Sequence, residues 1–101
     1  MTAIVEISGQ TGRLVLSGQF DFSAHRDFRQ ASDEVLAADS VRELLVDFQQ
    51  VDYLDSSALG MLLLLKEKAS ASGKSLALVN CRETVRQVLE IACFGKIFTI
   101  R

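Results

Sequence analysis

The chain has 101 residues, 49% of them apolar, with 11 Lys and Arg set against 13 Asp and Glu for a formal net charge of −2. That length fits one domain, residues 1–101, whose core can form without disulfide or metal staples. The balanced, scattered charge argues against nucleic acid as a partner, because a duplex binder needs a clustered excess of Lys and Arg.

Ala3-Ile4-Val5-Glu6-Ile7 alternates as a strand, and Ser8 to Gly12 reads as a turn. Arg13 to Ser17 alternates again, with Leu14 and Leu16 on one face, which predicts an antiparallel hairpin ending at Gly18-Gln19-Phe20-Asp21. Asp21 or Ser23 then caps a helix whose Phe28, Ala31, Val35 and Leu36 recur as one apolar stripe. Glu43 to Phe48 is a short apolar strand of the buried kind. A second helix runs from about Ser57 to Ala71 and stops at Gly73. Ser75 to Asn80 is the next strand, Arg82 to about Cys93 the third helix, and Ile97 to Ile100 the last strand. The order β-β-α-β-α-β-α-β implies an α/β fold: a mixed sheet with packed helices and right-handed crossovers between parallel strands.

Cys81 and Cys93 lie twelve residues apart and the only His is His25, too few ligands to group around zinc. Both thiols are expected to be buried or half-buried small apolar groups, not a disulfide framework. Neither a cofactor nor a metal is called for. The N-terminus Met1-Thr2-Ala3-Ile4-Val5-Glu6 does not read as a signal peptide. The longest apolar run, Ala58 to Leu65, is broken by Gly60 and ended by Lys66, far short of the ~20 residues that cross a bilayer. A soluble cytoplasmic protein without direct membrane insertion is expected.

Three segments stand out as candidates for function. The loop Gln49 to Asp55, which includes Asp52 and Tyr53, leaves the central strand and feeds the second helix, a position that favours partner sites. Ser56 and Ser57 fall at that helix start, where either could serve as a cap. The helix itself is apolar in every direction over Ala58, Leu59 and Met61 to Leu65, so part of that run is expected to face a partner, with Met61 and Leu62 included. Asp21 and Phe22 end a strand that could lie beside the central one, bringing Asp21 near Asp55; the alternative makes Asp21 a cap and Phe22 a hydrophobic staple. Catalysis has little support. Asp55-Ser56-Ser57-Ala58-Leu59-Gly60 is not a Gly-x-Ser-x-Gly elbow, and no Gly-rich phosphate loop is present.

The segment Asp52-Tyr53-Leu54-Asp55-Ser56-Ser57-Ala58-Leu59-Gly60, set between a strand and a Leu-rich helix, resembles the signature of the STAS domain, in the anti-sigma-factor antagonist family. Gly18-Gln19-Phe20-Asp21 is similar to the family's Gly-x-Leu/Phe-Asp strand end, Val46-Asp47-Phe48 to its central strand, and the likeness runs the length of the chain. The resemblance implies a partner switch in transcription regulation. Ser56, with Ser57 as fallback, would be phosphorylated by a serine kinase, often itself the anti-sigma factor, and restored by a serine phosphatase. The unphosphorylated bacterial protein would bind the anti-sigma factor through Asp21, Phe22, Asp52, Tyr53, Asp55, Ser56, Ser57, Ala58, Met61 and Leu62. Ala58 stands where many members have Gly, implying a slightly stiffer first helical turn. The chain also stops at Arg101, short of the final helix common in the family, which is expected to expose a sheet edge or helix flank. A weak homodimer is left open. The other reading makes the chain a STAS subunit or regulator of a membrane transport system.

Overall fold

The computed structural model describes residues 1–101. Strands β1 (Thr2–Ser8) and β2 (Thr11–Phe20) form an antiparallel hairpin. After a 3-10 turn at Phe22–Ala24 come α1 (His25–Leu36), β3 (Glu43–Leu54), α2 (Ser56–Ala71), β4 (Ser75–Val79), α3 (Glu83–Ile91), a second 3-10 turn at Phe94–Lys96 and β5 (Thr99–Ile100). The five strands lie side by side in chain order, and β2 to β5 are all parallel. The expected mixed α/β sheet is therefore present. Each parallel step moves one strand in the same direction through a helix, and right-handed crossovers then put all three helices on one face.

That face holds the core. Leu14, Leu16, Leu44, Val46 and Leu78 point from the strands into a single cluster with Phe28 and Val35 of α1, Leu62 and Leu65 of α2, and Val85 and Leu89 of α3. The opposite face has no helix over it. It carries a smaller group, Leu45, Ala77 and Val79, and a half-buried ion pair in which Arg13 Nη1 donates to Asp47 Oδ2 at 2.8 Å. Asn80 Nδ2 (3.2 Å) and the Gln49 amide (2.9 Å) also donate to the Asp47 carboxylate, so this half-shielded charge is fully partnered. Gly12 lies where β2 meets the end of α1: a Cβ there would stand 2.5 Å from Val35 Cγ2, so only glycine allows this approach.

Several boundaries differ from those read in the sequence. The β3 strand continues six residues past Phe48 to Leu54, so the segment expected as a loop is largely strand. Its extension pairs with the end of β2 through Ser17↔Gln50, Gly18↔Val51, Gln19↔Tyr53 and Phe20↔Leu54, with register shifts at Val15/Ser17 and Gly18/Gln19. Those irregularities break the two-residue alternation that marks a strand in sequence, and Gly18 (φ +98°) supplies the backbone conformation one of them needs. The last strand shortens to Thr99–Ile100 because Phe94–Lys96 winds into a 3-10 turn that stacks Phe94 on Phe98, ring centroids 5.0 Å apart.

The cysteines also depart from expectation. Both are free; Cys81 is half-buried, but Cys93 is exposed, held in the left-handed region (φ +61°) just past α3. Burial pushes the Cys81 thiol pKa up, with the Arg86 charge opposing. A disulfide-exchange reagent at pH 8 is expected to label Cys93 rapidly and Cys81 slowly, read as two kinetic phases by absorbance, because the thiolate is the reactive form. Equal rates at the two positions would contradict this environment.

Candidate partner-binding site

The site sits where β2 and β3, being parallel, end at the same edge of the sheet. Phe20 and Leu54 are paired across the strands, and the Asp55 amide donates to the Phe20 carbonyl at 3.2 Å. Phe20 is fully buried, its ring 4.9 Å from that of Phe28 and 6.3 Å from that of Phe48. This anchor sets the chain direction on both sides, so the two residues that follow, Asp21 and Asp55, emerge beside one another.

Both carboxylates cap helices. Asp21 Oδ1 accepts from the Ser23 amide (3.0 Å) and hydroxyl (2.5 Å) at the turn that leads into α1. The Ser23 side-chain bond is the main cause of an Asp21 pKa below the usual carboxylate value. Asp55 Oδ1 accepts from the Ala58 amide at 2.9 Å and is the N-cap of α2. The cap is thus Asp55, not Ser56 or Ser57. An Asp side chain competes well for this role, and once it binds the third amide of the helix the serines behind it are not needed. Ser56 becomes the first helical residue, exposed, and Ser57 the second, half-buried.

Around Ser56 the surface is acidic and partly apolar. Asp52 is exposed, Tyr53 is 49% exposed and Phe22 is 76% exposed. Phe22 is therefore not a staple; it projects from the rim. Between Leu14 and His25, and again from Gln49 to Leu65, the chain has no Lys or Arg, and the positive charge that reaches Asp21 is the Met1 ammonium, which helps to lower its pKa.

Along α2 the structure divides residues that sequence alone could not. Ala58, Met61, Leu62, Leu65 and Ala69 are buried, so Leu62 (0% exposed) and Ala58 (0%) belong to the core, while Met61 (9%) lines the cleft between α1 and α2. The exposed side carries Ser56, Gly60, Leu63 (43%) and Leu64 (48%). Leu63 and Leu64 were not singled out by the sequence, where the unbroken run of leucines hides the stripe. Gly60 has open space around it: a Cβ would meet nothing within 4 Å. Replacing it with Ala is expected to stabilise the fold by about 0.5–1 kcal/mol. Thermal unfolding then shows a Tm higher by about 3–6 °C; a lower Tm would mean that the fold itself requires the glycine.

The same fold recurs in known proteins. The family model described as "Mlab, STAS domain" matches residues 4–99. The chain belongs to the STAS-domain family. A STAS-domain containing protein of Pseudomonas aeruginosa (strain UCBPP-PA14) is 43% identical over 100 residues, covering 99% of this chain and 97% of the relative. An anti-sigma factor antagonist from Mycobacterium paratuberculosis superposes with a TM-score of 0.85 at 25% identity, over 98% of this chain and 83% of that one. The anti-sigma factor antagonist SpoIIAA in its unphosphorylated form superposes with a TM-score of 0.74 at 22% identity, over 99% of this chain and 87% of that one. SpoIIAA, a Bacillus cell fate determinant, is also known in a phosphorylated form. A sulfate transporter family protein from Wolinella succinogenes shares the fold as well, with a TM-score of 0.75 at 14% identity over 94% and 80% of the two chains. No helix of this STAS domain is long and apolar enough to cross a membrane.

Proposed function

We propose that this STAS domain is an anti-sigma-factor antagonist whose binding to a partner, an anti-sigma factor or serine kinase, is controlled by phosphorylation of Ser56. The observation that carries the reading is the position of Ser56: exposed, outside the cap that Asp55 provides, and at the first position of a helix flanked by Asp52 and Asp55. A hydroxyl free of structural duty can be modified without loss of the fold. The helix N-terminus tolerates the phosphate, because its dipole is positive there and the first amides of α2 lack intrahelical partners. Ser57 is second choice because it is half-buried. Asp21, Phe22, Asp52, Tyr53 and Asp55 form the rim that the partner covers. The protein acts as a binding element in the cytoplasm with no catalytic step of its own, and a serine phosphatase resets it.

Incubating the purified chain with host cytosol and ATP tests this directly. Intact-mass analysis is expected to show one added phosphate, absent from Ser56→Ala and retained by Ser57→Ala. Phosphate retained by Ser56→Ala would move the control point elsewhere. The second reading, a STAS subunit or regulator of a membrane transport system, draws on the fold shared with the sulfate transporter family protein. It predicts no phosphate in that assay and co-purification with an ATPase or permease.

A further inference from the structure

The two edges of the sheet differ. At one, β5 is two residues long, too short to template another strand. At the other, β1 runs seven residues with no Pro, Lys or bulge to blunt it. The two-residue turn at Gly9-Gln10 (Gly9 φ +60°) makes Ser8↔Thr11 a hydrogen-bonded pair, so that Thr2, Ile4, Glu6 and Ser8 bond to β2. The amides and carbonyls of Ala3, Val5 and Ile7 therefore point away from the sheet, and no turn or loop bond of the chain reaches them. Ile4 (51% exposed) and Ile7 (47%) stand on opposite faces of this same strand.

Beside the edge lies a groove of about 390 Å³, between Ala3 and Val5 of β1 and Asp27, Ala31 and Glu34 of α1. Those three α1 residues recur at offsets 0, 4 and 7 and share one flank of the helix. A different flank, with Phe28 and Ser32, faces α2. Asp27 and Glu34 are both exposed, and neither is in an ion pair. The one cation among the residues that line the groove is the Met1 ammonium, whose charge also reaches Asp21. Arg26 and Arg29 line a separate depression with Asp33.

We propose that the β1 edge takes up an extended segment of a partner protein as a sixth strand, and that this segment carries the pattern basic-x-apolar-x-basic. Its main chain bonds the outward groups of Ala3, Val5 and Ile7, which supplies affinity, and its alternate side chains enter the groove, which supplies specificity. Asp27 and Glu34 are about 10 Å apart along α1 at ~1.5 Å per residue. Strand residues four apart span about 13 Å, so two long Lys or Arg side chains reach both carboxylates. The residue midway between them packs over Val5 and Ala31 and is apolar. A second copy of the chain does not fit this edge. Antiparallel pairing of β1 with β1 puts both copies of α1 on one face of the joined sheet, with four carboxylates across a single groove. The site is distinct from the Ser56 rim, because α1 stands between it and α2.

The test is a titration of the isotopically labelled full chain, followed by amide NMR at low salt, with the synthetic peptide acetyl-Gly-Ser-Lys-Thr-Val-Thr-Lys-Ser-Gly-amide. The amide signals of Ala3, Val5 and Ile7 are expected to shift saturably by about 1 mM peptide and to exchange with solvent more slowly. Asp27→Lys combined with Glu34→Lys lowers the affinity about tenfold or more and confers binding of the peptide with Glu in place of both Lys. Both substitutions fall at exposed helix positions, and circular dichroism checks that the fold is kept. N-methylation along one edge of the peptide abolishes binding and along the other leaves it, which separates main-chain pairing from charge attraction alone. No saturable shift at Ala3, Val5 and Ile7, equal affinity for the Lys and Glu peptides, indifference to the charge reversal, or binding that survives N-methylation of either edge would each overturn the added strand. Shifts of the same signals with protein concentration alone would put a second copy on the edge and overturn it as well.

Discussion

Ser56→Asp is expected to bind its partner roughly fifty- to a hundredfold more weakly than the unmodified chain, while Ser56→Ala binds constitutively. A charge added at Ser56 stands beside Asp55 and Asp52. In free solution two like charges ~5 Å apart repel by only about 0.8 kcal/mol, because water screens them. Covering the rim with a partner removes that water, and at an effective dielectric of about 20 the same pair costs about 3.3 kcal/mol. The difference, about 2.5 kcal/mol, is lost from binding alone and corresponds to nearly two orders of magnitude in affinity. A phosphate, at about −1.5 to −2 charges, has the larger effect. No refolding is needed, since Asp55 and not Ser56 caps the helix. Titration calorimetry of the three forms against one partner checks the ranking, and unchanged affinity for Ser56→Asp would end the electrostatic explanation.

Leu62→Ala has the largest expected effect on stability, about 2–5 kcal/mol. Leu62 is fully buried in the cluster that joins the sheet to all three helices, so truncation leaves a cavity as well as losing apolar contact. Set against the 5–15 kcal/mol typical of a small domain, that is a large fraction of the whole. Urea unfolding is expected to show a lower midpoint with an unchanged slope. Binding by the folded fraction is expected to stay near that of the unmodified chain, because Leu62 does not reach the surface. Reduced affinity with unchanged stability would return Leu62 to the partner surface on which the sequence had placed it.

That reversal shows where sequence reading reached its limit. The hairpin, the alternation of later strands with helices and the two amphipathic helices were legible, because Leu14 and Leu16 in β2, the stripe from Phe28 to Leu36 in α1 and that from Val85 to Ala92 in α3 carry clear periods. In α2 no period shows. Leucine at four consecutive positions, Leu62 to Leu65, gives the same signal whether a residue faces the sheet or the solvent. The smaller residues held the information: Ala58 and Ala69 extend the buried stripe through Met61, Leu62 and Leu65, and Gly60 lies opposite it.

The site was legible in its parts, less so in its assembly. The sequence left two readings of Asp21 open, one beside Asp55 and one as a cap, and the structure makes it both, a cap brought to the same sheet edge as Asp55 through the Phe20–Leu54 pairing. Which residue caps α2 could not be read, since Asp55, Ser56 and Ser57 are all competent caps and only backbone geometry chooses among them. The cleft between α1 and α2, where Arg29 and Lys68 share the carboxylate of Asp33, was missed altogether. Arg26 and Arg29 are separated from Lys68 by some forty residues in the chain, and only helix packing brings them near one another. The full length of β3 was hidden by the irregular pairing beyond Asp47.

The most direct test of the Ser56 switch is paired affinity capture from host cytosol, with one bait unmodified and the other stoichiometrically phosphorylated at Ser56, and the bound proteins quantified by mass spectrometry. The switch predicts a protein with a kinase-like ATP site bound to the unmodified bait and depleted about a hundredfold or more from the phosphorylated one. Equal recovery of the same partners on both baits would contradict it.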